Sequence, residues 1–595
     1  MKNFKYISIL FLVIVLSTMS CQDDKFIEEN PTTFYTIDNA FSTSNQVDQV
    51  LLSIYSHIRD LWCNPSSTQW IFDFRGRGTD MYDVAVIRKA NSFSDYGNIN
   101  PDHGSFYEIY TTWYYVIARA NLALYASELP QISWSSATEK AFVVAQARFF
   151  RAFAYRNLAE LYGGVPIVTE ISTVPRYNFE RATRIETYQF AINEMEAIEN
   201  DIPETTVKGG LLVRGAVQHN LSELYLALGT QLASDGNSSG AQAAFTKSVS
   251  FADKVINGGK YALMSARFGK RKAEISYAID IYKSGTFTPV NKVDTIRYFA
   301  NYYWDLFQEG NVNYQDGNTE CIWAAQIDYD AYKAEDKKSV LPYSGNFGPV
   351  FRDIAKTHIL GQIEDVGGRG ISLANITDYT RDLIYSDKFG KDMRNSETVF
   401  RRRFKGNVPT SPYYLKDVPW SVMYTGITDA ATLNNRSEIY PVSCKIATDK
   451  YTGLADGQNR SSLFRDEYII RLPETILLRA EAKQRLGDKA GAAADVNLLR
   501  ARAKCTYLVT AADMDDKFNT ILDERARELV YEECRWNTLL RMGSTIAVER
   551  IRQYAFWPET KATLTFDYNL WPIPQKVIDS NLDVKLEQNP GWTNR

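Results

Sequence analysis

Two pairs of small-residue-rich segments, far apart in the chain, constrain its fold most strongly. The first pair covers residues 216–236 and 239–259, and the second covers residues 473–488 and 489–503. In each pair, Ala and Gly recur where two helices would touch, and a Gly-containing turn joins the segments. Tetratricopeptide-like helical hairpins pack in this way. Because the pairs are separated by very unequal distances, the pattern predicts a degenerate, interrupted helical repeat.

Further helices are predicted in the first 200 residues, where apolar residues recur at helical spacing. One apolar stripe runs through residues 47–58 and another through residues 106–117. A third helix is predicted to end at Gly163-Gly164, because glycine followed closely by Pro166 is a helix stop signal. A fourth is predicted in residues 185–200.

The pattern changes between about residues 262 and 465. Tyr, Asn, Asp, Gly and Thr become frequent, helical stripes become short, and turn dipeptides multiply. The runs ECIWAAQI (320–327) and VFRRRF (399–404) predict a few short strands. Long irregular segments on a rigid scaffold often carry binding surfaces, so we expect this insert to contribute to a site.

The N-terminus has the order of a secretory signal. Two lysines precede the apolar run Ile7–Leu16, and small polar residues follow up to Cys21. The run spans about 15 Å, half of a bilayer core, so it is too short to cross a membrane. The position of Cys21 resembles a lipoprotein cleavage site, although Thr18 stands where an apolar residue is usual. Ordinary signal cleavage near an unrelated cysteine is the alternative.

Composition excludes several classes of function. The chain has 67 basic and 71 acidic residues, a net charge of −4, which gives no electrostatic case for nucleic-acid binding. Four histidines, and five cysteines beyond Cys21 without a C-x-x-C pair, indicate neither a zinc site nor a disulfide framework. The 37 tyrosines and 11 tryptophans, in contrast, offer many flat amphipathic surfaces.

Four segments resemble, in order and position, the signature segments of the SusD/RagB family. They are RAFAYRNLAELYGGVPIV (151–168), RLPETILLRAEAKQRLGD with AAADVNLLRARA (471–503), ILDERARELVYEECRWNTLLRMG (521–543) and LWPIPQKVIDSN with QNPGW (570–592). Members of this family are surface lipoproteins that capture nutrients, mostly glycans, for a TonB-dependent outer-membrane transporter. The resemblance extends over essentially the whole mature chain, including its lipoprotein start.

The resemblance implies a mostly α-helical SusD-like fold. Four tetratricopeptide-like helix pairs would form the scaffold, and a loop-rich insert with a few short strands would bind the ligand. The expected organisation is a signal peptide (1–20), an N-terminal helical part (21–261), the insert (262–464) and a C-terminal helical part (465–595). No catalytic residue, cofactor or metal is implied.

Three motifs that resemble catalytic or phosphate-binding patterns are better interpreted as structural. Gly236–Gly240 fits G-x-S-x-G, but a helix precedes it where a hydrolase needs a strand, so a helix–helix turn is expected. Glu524, Glu528 and Glu532 lie four residues apart, as on one helical face. They could form an acid/base pair, but we favour a structural charge network with nearby arginines. Gly367–Gly370 lacks the Lys-Ser/Thr of a phosphate loop and is interpreted as a turn.

Aromatic and polar residues of the loops are the candidates for ligand binding. A pyranose ring can lie flat on an aromatic ring, while its hydroxyls need amide, carboxylate and guanidinium partners. By comparison with the family, the loops near residues 70–100 and 300–350 would lie near the ligand. The candidates are Trp70, Arg75, Asp80, Tyr82, Tyr96, Asn98, Tyr303, Trp304, Tyr343 and Trp420. Trp304 is the first choice, with a satellite core under the insert as its alternative role.

The predicted function is therefore non-catalytic capture of oligo- or polysaccharide at the surface of a Gram-negative bacterium. The protein would be held in the outer membrane by a lipid on Cys21 and would deliver glycan to a SusC-like TonB-dependent transporter. Peptide uptake on the same scaffold, or a surface glycoside hydrolase, are the alternatives.

Overall fold

The computed structural model describes residues 40–84, 93, 95–273, 276–282, 289–334, 337–350, 370–386, 391–406, 410–425, 439–447, 461–564 and 569–593. The predictions for the signal segment, for Cys21 and for most of the Gly367–Gly370 turn lie outside these residues.

The described residues form long helices at both ends of the chain and short elements between them. The helices are α1 (Ser44–Cys63), α2 (Gln69–Arg75), α3 (Gly104–Ser127), α4 (Ala137–Tyr162), α5 (Arg184–Glu196), α6 (Arg214–Ser234), α7 (Ser238–Ile256), α8 (Tyr302–Asp305), α9 (Tyr329–Lys333), α10 (Tyr343–Phe347), α11 (Asp378–Arg381), α12 (Trp420–Thr425), α13 (Leu472–Arg485), α14 (Lys489–Arg502), α15 (Asn519–Leu529), α16 (Arg535–Met542), α17 (Ser544–Tyr554), α18 (Pro558–Thr563) and α19 (Gln575–Ser580). The strands are β1 (Tyr82–Asp83), β2 (Ser276–Tyr282), β3 (Pro289–Phe299), β4 (Cys321–Ala325), β5 (Asn375–Ile376), β6 (Phe400–Arg401), β7 (Val442–Ser443) and β8 (Glu467–Arg471).

Eight helices of the described chain pack in series to form the scaffold. Their order is α1, α3, α4, α5, α6, α7, α13 and α14, and each contacts the next. Taken two at a time they are four consecutive helix pairs, so the predicted mostly α-helical, tetratricopeptide-like fold is confirmed. Because α7 packs directly on α13, the chain between them leaves the scaffold and returns to it.

The predicted turns and small-residue contacts explain why these helices begin and end where they do. The Ser136 side chain accepts a hydrogen bond from Glu139 N at the start of α4, and α4 ends before Gly163, whose φ is +77°. Gly236–Gly240 contains the turn between α6 and α7, as expected, with Gly236 at φ +81°. Within the same hairpin, a Cβ on Gly229 would lie 2.6 Å from the Phe245 ring, so glycine is needed for close helix packing.

In the described part of the chain, the strands form four separate two-stranded antiparallel sheets. β4 pairs with β8, Cys321 opposite Arg471, and so connects the insert to the start of α13. β1 pairs with β5, Tyr82 opposite Ile376, and connects the N-terminal part to the insert. The other sheets are β2–β3 and β6–β7. The strand predicted in residues 320–327 is confirmed, whereas only Phe400–Arg401 of the second predicted run is a strand.

Among the described residues, two large apolar cores and three smaller ones hold these parts together. The largest runs through the scaffold and buries Trp113, Trp323, Trp536 and Trp571. A second core lies mainly in the insert, around Tyr343, Phe347 and Phe404. A satellite core contains Tyr302, Tyr303, Trp304 and Phe307. The boundaries 262 and 464 of the predicted insert remain predictions.

Candidate functional site

Seven of the ten predicted ligand-binding residues have buried side chains. They are Arg75, Asp80, Tyr82, Tyr96, Tyr303, Trp304 and Tyr343. Their side chains present no face to solvent, and their contacts are structural.

Arg75, Tyr82 and Tyr343 meet around the backbone of Tyr531. Arg75 Nη2 donates to Tyr531 O at 2.6 Å and to the Tyr343 hydroxyl at 3.0 Å. The Tyr82 hydroxyl accepts a hydrogen bond from Tyr531 N. Tyr531 has a φ of +67°, which a side chain larger than glycine rarely adopts, so these contacts hold a strained turn in place. Arg75 and Tyr82 thus fasten the segment 521–543 to the N-terminal part of the chain, and Tyr343 connects Arg75 to the insert.

Asp80 and Tyr96 join the loop near residues 70–100 to its neighbours. Asp80 pairs with Arg535 at 2.6 Å and with Arg550 at 3.1 Å, all buried. Burial alone would raise the pKa of Asp80, but the two guanidinium groups outweigh it and hold that pKa below its usual value. The Tyr96 hydroxyl donates to Gly78 O at 2.7 Å.

Tyr303 and Trp304 belong to the satellite core. Trp304 is 1% exposed, and the guanidinium of Arg271 lies 4.3 Å from the centre of its ring. The Tyr303 ring is buried with Phe307, 5.6 Å away between ring centres. The structure therefore favours the satellite-core interpretation of Trp304.

Trp70, Asn98 and Trp420 keep exposed surface, so the prediction of ligand contact now depends on these three. Trp70 is partly exposed on α2, with its other side on the scaffold core. Asn98 is exposed and donates to Asp95 Oδ2 at 2.7 Å. Trp420 is partly exposed on α12 and meets Phe404 edge-to-face at 5.8 Å. No described contact brings the three together.

A cluster of three rings in the insert offers a better-defined aromatic surface. The rings of Tyr329 and Tyr332 are within 17° of parallel, with their centres 6.4 Å apart. Phe464 meets both edge-to-face, at 4.7 Å from Tyr329 and 5.1 Å from Tyr332. Phe464 is buried while both tyrosines are partly exposed. We refer to Tyr329, Tyr332 and Phe464 as the tyrosine platform.

Polar groups surround the tyrosine platform. Lys333 Nζ lies 4.8 Å from the centre of the Tyr329 ring and pairs with Asp330 at 3.0 Å. Lys337 Nζ lies 5.1 Å from the Tyr332 ring and donates to Tyr332 O at 3.1 Å. Ammonium and carboxylate groups beside an apolar ring face are the partners that a polyhydroxylated ligand needs.

Asp466 connects the two segments that carry the platform. It accepts hydrogen bonds from Ile327 N at 2.7 Å and from Asn313 Nδ2 at 2.6 Å. Burial raises the pKa of Asp466 to about 6. The carboxyl group connects the segment that leads into α9 to the strand that follows Phe464, so the two sides of the platform share one support.

Sequence reasoning missed the platform, although a signal for it is present. The run YDAYK places Tyr329 and Tyr332 three positions apart, which puts them on the same side of a helix. Phe464 lies more than 130 residues away in the chain, and only the fold brings it under the pair.

The clustered glutamates form a structural network, as favoured from the sequence. Glu524, Glu528 and Glu532 are buried and paired with cations: Arg500 lies 3.0 Å from Glu524, and Arg471 lies 2.8 Å from Glu532. The predicted shared helical face is wrong for Glu532, because α15 ends at Leu529 and the chain turns at Tyr531.

In the part of the chain that the structure describes, no three His, Cys, Asp or Glu side chains are grouped so as to hold a metal ion. None of the described helices combines the length and the apolar character needed to span a membrane.

Comparison with protein families gives two matches that together extend over most of the chain. A model described as "SusD family" matches residues 293–592. A second model, described as "Starch-binding associating with outer membrane", matches residues 25–226.

Individual proteins agree with these matches. SusD-like protein P2 of Formosa agariphila is 22% identical over 610 residues, which is 100% of both chains. The crystal structure of a SusD homologue from Bacteroides thetaiotaomicron has a TM-score of 0.66 at 15% identity and covers 93% of this chain and 98% of its own. Surface glycan-binding protein A of the same species, solved in complex with laminarihexaose, has a TM-score of 0.58 at 16% identity and covers 92% and 99%.

Proposed function

Because the chain belongs to the SusD family, we propose that it is a non-catalytic, glycan-binding lipoprotein of the outer membrane of a Gram-negative bacterium. It holds oligo- or polysaccharide at the cell surface and passes it to a SusC-like TonB-dependent transporter. The description of the N-terminal family model supports starch binding and association with the outer membrane. The neighbour solved with laminarihexaose supports a glycan as ligand.

The tyrosine platform is the observation that carries this proposal. Two partly exposed, nearly parallel rings supply the aromatic faces for the C–H face of a sugar, which takes the place of the lysine ammonium groups that lie over them. Contact between flat partners contributes about 0.5–1.5 kcal/mol each beyond buried area. Two or three such contacts, net of ordering costs, give dissociation constants on the order of micromolar to millimolar. Weak and rapidly exchanging binding suits a protein that must release its cargo to a transporter.

Trp70, Asn98 and Trp420 are the secondary contacts in this proposal. The two tryptophans provide further ring faces, and the Asn98 amide provides a donor and an acceptor for sugar hydroxyls. The seven buried candidates have a structural role in this proposal and do not contact the ligand.

Catalysis is not part of the proposed function. The best-aligned carboxylates of the sequence, Glu524, Glu528 and Glu532, are buried in ion pairs. A glycosidase needs two carboxyl groups that flank a substrate in one cleft. The buried glutamates cannot meet that requirement.

Incubation of the purified protein with panels of oligosaccharides and peptides tests the proposal. Depletion of a glycan without cleavage is the expected result. Depletion of peptides alone would replace the proposed ligand by a peptide, and release of shortened glycans would make the protein a hydrolase. Heat-denatured protein is the control for non-specific loss.

A further inference from the structure

A fully buried cluster of charged side chains joins the insert to the C-terminal helices. Its members are connected by ion pairs of 3.0 Å or less. We call it the buried charge cluster. It contains the cations Arg394, Lys445, Arg471, Arg500, Arg502 and Arg527 and the carboxylates Glu320, Asp392, Glu524, Glu528 and Glu532.

The cluster has one more cation than carboxylates among the described residues. With every member ionised, it therefore carries a net charge of +1 away from solvent. A net buried charge is costly, because the interior of a protein solvates it far less well than water does. Backbone carbonyls offset part of this cost, since Lys445 Nζ donates to Glu528 O at 2.7 Å and to Val530 O at 3.1 Å. A negative charge bound next to the cluster would lower this cost and stabilise the folded state.

A small cavity lies against the cationic side of the cluster. Arg394, Lys445 and Arg527 line it, and none of the cluster's carboxylates does. It has room for about one water molecule. All but one of its lining residues are buried.

Hydroxyl-bearing residues form a second part of the wall, and the apolar Val399, Phe400 and Val530 form the rest. Ser443 Oγ accepts a hydrogen bond from Lys445 N at 3.2 Å, which leaves the proton of its hydroxyl to point elsewhere. The hydroxyl-bearing residues Tyr303, Thr380 and Tyr385 also line the cavity. A wall of cations and hydroxyls without carboxylates is suited to an anion, since hydroxyl donors and positive charge both stabilise it.

We propose that this cavity binds one small monovalent inorganic anion of halide size, with chloride as the probe. Its single negative charge balances the buried charge cluster. Lys445, Arg394 and Arg527 attract it, and the Ser443 and Tyr385 hydroxyls donate hydrogen bonds to it. Bound anion stabilises the junction between the insert and the C-terminal helices, because anything that binds the folded state alone raises its stability.

Loss of a proton from Lys445 is the competing way to neutralise the cluster. Burial lowers the pKa of Lys445 below its usual value, although Glu532, 2.5 Å away, opposes that shift. A neutral Lys445 would leave the cluster balanced and the cavity without need of an anion. The two possibilities differ in their response to halide.

Thermal melts and diffraction with halides test the proposal. At constant ionic strength, replacing gluconate by chloride is expected to raise the melting temperature of the full chain by several degrees, and the effect is expected to saturate. Crystals grown in bromide are expected to show an anomalous peak in the cavity. A melting temperature that does not depend on chloride, or bromide bound only at the surface, would overturn the proposal.

Two variants assign the effect to this cavity. Lys445→Met makes the cluster neutral and is expected to abolish the response to chloride. Lys254→Met, which removes an exposed lysine paired with Glu199, is the matched control and is expected to keep it. If Lys445→Met does not fold, Tyr385→Phe serves instead, and it is expected to raise the half-saturating chloride concentration several-fold. An unchanged chloride response in the folded variants would place the anion elsewhere and refute the site.

Discussion

At the residue scale, Trp304 is a buried ring of the satellite core, and its expected role is to stabilise the insert. We expect Trp304→Ala to lower the free energy of unfolding by about 3–5 kcal/mol, the usual cost of truncating a buried tryptophan. Urea denaturation measures this loss. Trp420→Ala, at a partly exposed ring, is the comparison and should cost less. A stable Trp304→Ala variant with weakened glycan affinity would contradict the core role and return Trp304 to the binding surface.

The carboxyl group of Glu528 is expected to make the stability of the protein depend on pH. Burial would raise its pKa, but Arg502, Arg471 and Arg394 outweigh burial and hold the pKa well below the ordinary 4.5. A lowered pKa in the folded state contributes stability that is present above the ordinary value and is lost as the pH falls toward the folded value. We therefore expect the free energy of unfolding to fall as the pH is lowered from 7 to 3.

Glu528→Gln tests this assignment. It should cost about 3–5 kcal/mol at pH 7, because several buried cations lose a partner, and it should flatten the dependence on pH. Glu549→Gln, at an exposed residue paired with Lys517, is the matched control. Denaturant titrations at pH 7 and pH 3 measure both effects. A variant with the parent's pH dependence would exclude Glu528 as a source of it.

The candidate site could be predicted from sequence only in part. Tyr303 and Trp304 stand in a polar stretch of sequence, yet they are buried, because burial depends on residues such as Tyr468 and Cys444 that are distant in the chain. Tyr329 and Tyr332 have the spacing of neighbours on a helix, but Phe464 supports them only in the folded chain. The neighbouring sequence shows the chemistry of a side chain, but it does not show which distant residues will bury it.

At the element scale, the helix pairs depend on small residues at their contacts. Ala493 on α14 is buried in the scaffold core, whereas Ala494 beside it is exposed. We expect Ala493→Trp to cost about 1–3 kcal/mol or more by overpacking. Ala494→Trp, the same change one position along, should leave the melting temperature close to that of the parent. Equal melting temperatures for the two variants would contradict the packing of α14.

The long helices could be predicted well because periodicity and stop signals agree. Gly163 and Gly236 have positive φ at the ends of helices, as their sequence context indicated. The end of α15 could not be predicted, because a regular spacing of glutamates continues through Glu532 while the backbone turns at Tyr531. Buried contacts of that turn with Arg75 and Tyr82, residues from the other end of the chain, decide the end of the helix.

At the scale of the whole molecule, the proposed function requires attachment to a membrane. Cys21→Ala should leave the protein without fatty acid and away from the outer membrane, because several acyl chains anchor a protein stably without a spanning helix. Labelling with a fatty-acid analogue and membrane fractionation measure the change. Cys63→Ala, at a buried cysteine of α1, is the control and should keep the label. Labelled Cys21→Ala protein at the cell surface would refute the anchor.

In the proposed function, a helical scaffold presents the tyrosine platform to a glycan. Calorimetric titration of the best glycan into the parent and into the Tyr329→Ala/Tyr332→Ala variant tests it most directly. Loss of two ring contacts of about 0.5–1.5 kcal/mol each should weaken binding by about 5- to 150-fold. Tyr115→Ala, at an exposed tyrosine of α3, should bind like the parent. A double variant that melts near the parent's temperature and binds glycan with unchanged affinity would contradict the account.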